Sequence, residues 1–174
     1  PSLETGDRRL ILLVAPGKHG GDFITRDYDG KSVDLMGTRI QRDGDRMIEI
    51  VPGSVRVMST RAPAAPQWVR VGELELIGEL VDSKCYLGVM NPGEGKVHRD
   101  CATRCISGGI PPALMARDRT GRRQLLLVTG VGGRAIHREV VRYAGESVAI
   151  RGVVFRFGDR LRIEANPEQI RRVE

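Results

Sequence analysis

Aromatic side chains are scarce in this chain of 174 residues: three Phe, three Tyr and one Trp, 4% of the total. That scarcity leaves the core to Val, Ile and Leu. It also argues against a surface for single-stranded nucleic acid, which needs stacking rings among its basic groups. The formal charge is +6, yet the Arg and Lys residues are scattered along the chain with no basic block. Scattered charge of this kind solvates a surface, and it leaves an anionic partner as an open alternative. Long apolar runs are missing too: the longest, Leu10 to Ala15, suits a buried strand and falls far short of a bilayer span. The sequence does not open on Met, so a signal or anchor upstream of residue 1 is an expectation. Cysteine is absent outside a single stretch, and neither a Cys-x-x-Cys pair nor a Cys-x-x-Cys-His haem signature occurs.

The chain does hold 22 Gly and 9 Pro with 40% apolar residues, a composition of many short strands around an aliphatic core in one or two small domains. Sliding the sequence along itself by 115 positions aligns YDGKSVDLMG, 28 to 37, with YAGESVAIRG, 143 to 152. From Tyr28 to Arg56, 9 of 29 positions are identical, against about two by chance. One residue of slippage brings DRRLILLVAPG, 7 to 17, onto GRRQLLLVTGV, 121 to 131, and Pro1-Ser2-Leu3 echoes Pro112-Ala113-Leu114. The pattern is that of a tandem duplication.

Each copy reads as a strand, a connector and a hairpin. Leu10 to Ala15 and Leu125 to Thr129 are continuous apolar strands; Ser32 to Gln41 and Ser147 to Phe157 lead through turns to return strands at Met47 to Val51 and Leu161 to Ala165. Asp22 to Arg26 and Ala135 to Val141 suit short helices. Two prolines and three alanines within residues 60 to 70 mark a stiff linker, after which Val71 to Val81 alternates as a strand. The expected fold is therefore mainly β: two tandem OB-like barrels, residues 1 to 59 (incomplete at its start) and 71 to 174, the second carrying an insertion at 83 to 112.

That insertion contains every cysteine. In SKCYLGVMNPGEGKVHRDCATRCISGGIPP a helix is expected from Val97 to Ser107, stopped by Gly108-Gly109 and the prolines beyond. His98, Cys101 and Cys105 then share one helical face, with Cys85 arriving from the end of the preceding strand. Three thiols and an imidazole make a four-ligand set for a transition metal: zinc, copper or an iron–sulfur cluster. The spacing matches no zinc-finger signature. The alternatives are buried packing residues, a Cys101–Cys105 disulfide with one thiol left over, and a thiol enzyme with Cys101 or Cys105 activated by His98. Asp82, Glu94 and Asp100 flank the cysteines as candidate tuning carboxylates whose bland role is surface solvation or helix capping. His19 and His137 are expected on the surface, and GVGG at 130 to 133 as a turn, since it lacks the Lys-Ser/Thr of a P-loop.

The stretch DSKCYLGVMNPGEGKVHRDCATRCISGGIPP, within residues 74 to 115, resembles a poorly characterised family of bacterial exported, often membrane-anchored proteins. The resemblance implies a periplasmic setting and a Cys/His site at Cys85, His98, Cys101 and Cys105, without a settled activity. The combined expectation is a non-enzymatic metal-binding or redox accessory protein attached to a membrane-associated complex; the alternatives are an OB-type binding module for single-stranded nucleic acid or an anionic partner, and a thiol-based redox enzyme.

Overall fold

The computed structural model describes residues 1–6, 9–60 and 64–173. With 44% strand the protein is mainly β, as expected. The N-terminal half holds β1 (Ser2–Glu4), β2 (Leu10–Val14), the one-turn helix α1 (Asp22–Thr25), β3 (Ser32–Asp34), β4 (Gly37–Arg42), β5 (Asp45–Ile50) and β6 (Arg56–Ser59). The C-terminal half holds β7 (Val69–Asp82), α2 (Arg99–Ser107), β8 (Pro112–Arg117), β9 (Arg123–Thr129), α3 (His137–Val140), β10 (Ser147–Phe157), β11 (Arg160–Glu164) and β12 (Ile170–Arg172). Residues 61–63 of the expected linker lie outside the described residues, and its last two positions are already strand.

The C-terminal half is a closed five-stranded barrel. β7 lies antiparallel between β8 and β10, β8 pairs with β9, β9 runs parallel to β11, and β11 returns to β10. Closure requires the eleven-residue β10 to serve both neighbours, and Gly152 permits it: a Cβ there would overlap the Glu164 carbonyl. Inside, Leu80, Leu114, Leu126, Val148, Ile150, Ile163 and Ile170 form an aliphatic core, each side chain worth about 1.5–3 kcal/mol on burial. Tyr143, the only aromatic in that cluster, donates its hydroxyl hydrogen to the Ile170 carbonyl at 2.8 Å.

The N-terminal half differs from a barrel. Its sheet, β1-β2-β5-β4, is open, and β3 pairs instead with β6 as a separate ribbon. The single strand expected from Ser32 to Gln41 is interrupted at Leu35-Met36, because its first part pairs with β6 and its second with β5. A cavity of about 530 Å³ lies between β1 and the ribbon, lined by Leu3, Leu13, Tyr28, Val33, Leu35 and Val55 among others.

The ladders of the two halves nonetheless correspond. Leu12 faces Met47 in a parallel pair, and 115 residues later Leu127 faces Arg162 in another. Thr38 with Glu49 corresponds in the same way to Val153 with Glu164, and Val33 with Val57 to Val148 with Arg172. The helices α1 and α3 start and end 115 positions apart, and each runs into a 3-10 turn, Arg26–Tyr28 and Val141–Tyr143. Among the described residues only β7 and the segment that follows it, up to β8, have no counterpart in the first half.

The halves are not independent beads on a linker. A second core cluster joins Leu12, Val14 and Met47 to Val81, Cys85, Leu87, Ile110, Ala113 and Leu125. Above it, the buried Arg160 donates to Asp45 at 2.6 Å and to the carbonyls of Leu10 and Arg46. All three cysteines lie beside this shared core.

Candidate metal centre

The cluster is assembled by a chain of local stops and caps. β7 ends at Asp82, whose Oδ1 accepts the Cys85 amide hydrogen at 2.8 Å, three residues on, as a helix N-cap does. The capped turn widens into a five-residue helical turn, Cys85–Val89, a form common at functional sites. A loop then returns to a 3-10 turn, Lys96–His98, which leads directly into α2. The expected helix is therefore present, its first turn tightened to 3-10. At its other end Gly109, with φ of 92°, takes the left-handed conformation, while Ile110 N–H donates to Cys105 C=O and Gly109 N–H to Ile106 C=O. This double bond pattern is a Schellman stop.

The four expected ligands converge. Cys85 Sγ stands 3.9 Å from Cys101 Sγ and 3.9 Å from Cys105 Sγ. Donor atoms of Cys85, His98 and Cys101 lie within 4.8 Å of one another, as do those of Asp82, Cys85 and Cys105. All three cysteines are free thiols, so the Cys101–Cys105 disulfide is not present; Cys85 and Cys105 are buried and Cys101 is half-buried. His98 and Asp82 are also buried, with His98 Nε2 3.0 Å from Asp82 Oδ2.

The thiols are electrostatically unlike. The Cys85 thiol is pushed far up, first because it donates to Cys105 and then by burial and the Asp82 charge. Cys105 is pushed down, chiefly because it receives that hydrogen bond.

Sequence reasoning missed the contribution of the other half. Lys18, in the loop after β2, brings its ammonium to 2.8 Å from Cys101 Sγ and 3.8 Å from Cys105 Sγ, and its pKa rises chiefly through the Cys101 contact. Lys84 missed attention although it adjoins Cys85: it is buried, pairs with Glu49 of β5, and donates to the carbonyls of Ala15 and Gly17 at 2.9 and 2.6 Å. The carboxylates flanking the cysteines divide. Asp82 belongs to the site, whereas Glu94 pairs with Arg123 at 2.9 Å and Asp100 is solvent-exposed. His19 is exposed, but His137 is half-buried at the start of α3. GVGG at 130 to 133 forms a 3-10 turn.

The Lys18 loop is held against α2 by backbone contact, Gly20 N–H donating to Gly108 C=O at 2.9 Å. A Cβ on Gly108 would overlap the Lys18 carbonyl. Gly108→Ala is accordingly expected to cost about 1–3 kcal/mol in urea denaturation, the usual range for overpacking. Gly72→Ala, where nothing stands within 4 Å of an added Cβ, is expected to stay within about 0.5 kcal/mol of the parent.

Compared with protein-family models, with curated proteins and with solved structures, the chain matches none.

Proposed function

We propose that the protein binds one transition-metal ion, zinc foremost, through the thiolates of Cys85, Cys101 and Cys105 and a nitrogen of His98. The observation that carries this reading is the position of Cys85 Sγ, 3.9 Å from each of the other two sulfurs. A tetrahedral zinc site with Zn–S bonds of about 2.3 Å has sulfur–sulfur edges of about 3.8 Å. Cubane-type iron–sulfur clusters take their cysteines on separate irons, which sets those sulfurs much farther apart, so the spacing favours a single ion. Three soft donors with one imidazole favour zinc over the oxygen-seeking cations.

Asp82 fits the role of an orienting carboxylate better than that of a ligand, because both its oxygens are engaged, one by Cys85 N–H and one by His98 Nε2. With Nε2 so held, Nδ1 is the nitrogen left for the ion, and a carboxylate behind a metal-bound histidine is a common arrangement. Three thiolates around a divalent ion leave one negative charge, which the Lys18 ammonium at Cys101 offsets.

Metal binding requires the cysteine ligands as thiolates, so affinity falls as pH drops. Titration of the metal-free chain with zinc should reach one equivalent, release protons, and raise the melting temperature. At free zinc 100-fold above Kd the stabilisation is about 2.7 kcal/mol. A chain that takes up no zinc, and whose melting is the same in Cys101→Ser and His98→Ala as in the parent, overturns the reading.

The matching ladders of the two halves support descent by tandem duplication of an OB-like unit, with the metal-binding segment belonging to the second copy alone. The role we favour is that of an accessory protein on a membrane-associated complex in an exported setting, for which the support is the resemblance of the Cys/His segment. Co-purification with a membrane fraction that survives removal of the metal would separate this placement from the metal-binding reading.

A further inference from the structure

Cys101 differs from the other thiols in two ways: it alone is half-buried, and it alone lies 2.8 Å from a cation; the Cys85 sulfur stands 3.9 Å from it. We propose that Cys101 is a peroxide-oxidised thiol resolved by Cys85, so that oxidation closes a Cys85–Cys101 disulfide and dismantles the ligand set. The disulfide itself rests on the thiol geometry alone; its effect on bound metal rests on the reading above.

The chemistry balances with hydrogen peroxide as the two-electron oxidant. The Cys101 thiol gives its proton to solvent, its sulfur attacks one peroxide oxygen, an S–O bond forms, the O–O bond breaks, and the expelled hydroxide takes up that released proton as water. Cys85 then attacks the sulfenic sulfur, an S–S bond forms, the S–O bond breaks, and the departing hydroxide leaves as water with the Cys85 proton. Two thiols and one peroxide give one disulfide and two waters.

Geometry selects this pair. The two residues sit on different elements, a widened turn and α2, with their sulfurs 3.9 Å apart, so closing them to the roughly 2.05 Å of a disulfide bridges no single helix. Cys101 and Cys105 share one helix, four residues apart, and bridging them would distort its backbone. Cys105 is buried away from an incoming oxidant, and Lys18 places a hydrogen-bond donor 2.8 Å from Cys101 Sγ.

The test uses the full, metal-free chain and one molar equivalent of hydrogen peroxide, followed by peptide mapping. The expected product is a Cys85–Cys101 disulfide that a dithiol reductant reverses. In Cys85→Ser the sulfenic acid should persist on Cys101 and be trapped by dimedone; in Cys105→Ser the disulfide should still form. The map of the unaltered chain decides by itself, whatever the folding of either variant. A Cys85–Cys105 or Cys101–Cys105 link, or three thiols left intact, overturns the proposal. In zinc-loaded protein the same oxidation should release one equivalent of zinc to a chromogenic chelator. Disulfide formation in a chain that never bound zinc would refute the metal reading and leave the thiol assignment standing.

Discussion

Asp82→Ala is expected to be among the most damaging single substitutions in the protein, lowering stability by about 3–5 kcal/mol, the range for removing one member of a buried pair. Asp82 is fully buried, and its two oxygens serve two different elements: the amide of Cys85 at the start of the turn after β7 and the ring of His98 at the start of α2. Losing it strands two buried donors at once. It also frees the two segments whose separation sets the sulfur geometry. Asp82→Asn keeps the shape and one acceptor oxygen, so its cost should be nearer 1–3 kcal/mol. Zinc affinity should drop about 10- to 100-fold in Asp82→Asn, as is usual when the carboxylate behind a metal-bound histidine is altered. Urea denaturation of the metal-free proteins measures the first effect and competition with a zinc chelator the second. The two sites should also be coupled: Asp82→Ala with His98→Ala should cost less than the sum of the single changes.

Lys84→Met should cost about 3 kcal/mol for a different reason. Methionine keeps the apolar stem in its buried slot, so the loss isolates the ammonium. That group pairs with Glu49, whose side chain is 32% exposed and can be rehydrated in part, but it also satisfies the carbonyls of Ala15 and Gly17. Those carbonyls belong to the segment that leads into Lys18. Without Lys84 the segment is released, and Lys18 should leave the cysteines. The discriminating readout is the combination of Lys84→Met with Lys18→Met. The second substitution should change zinc affinity in the parent and have little further effect in Lys84→Met. Equal effects in both backgrounds would mean that Lys84 does not hold the loop.

The legible and illegible parts of the site have physical explanations. Helical spacing alone places His98, Cys101 and Cys105 on one face, because the period of 3.6 residues leaves no other arrangement once Gly108-Gly109 ends the helix. That Cys85 faces them follows from the strand running into the turn. Lys18 was invisible because nothing in the sequence around it marks a site: it follows a Pro-Gly turn, and its proximity arises from the packing of one half of the protein on the other. Lys84 reads as a surface cation by residue type, and only the shared core buries it. The correspondence of strands between the halves was readable through Tyr-x-Gly and Ile-Glu identities, but identity does not reveal pairing. The open sheet and the β3–β6 ribbon of the first half depend on which strands are available to pair. The four candidate ligands all come from the inserted segment, while Lys18 reaches them from the other half across the shared core.

The measurement that bears most directly on the metal-binding account is anomalous diffraction at the zinc edge, from crystals of protein purified without chelator and supplied with zinc. The account predicts one peak, about 2.3 Å from each of the three sulfurs and about 2.0–2.1 Å from a nitrogen of His98. An empty cluster with zinc in excess, or a zinc peak elsewhere with the three sulfurs unligated, would contradict it.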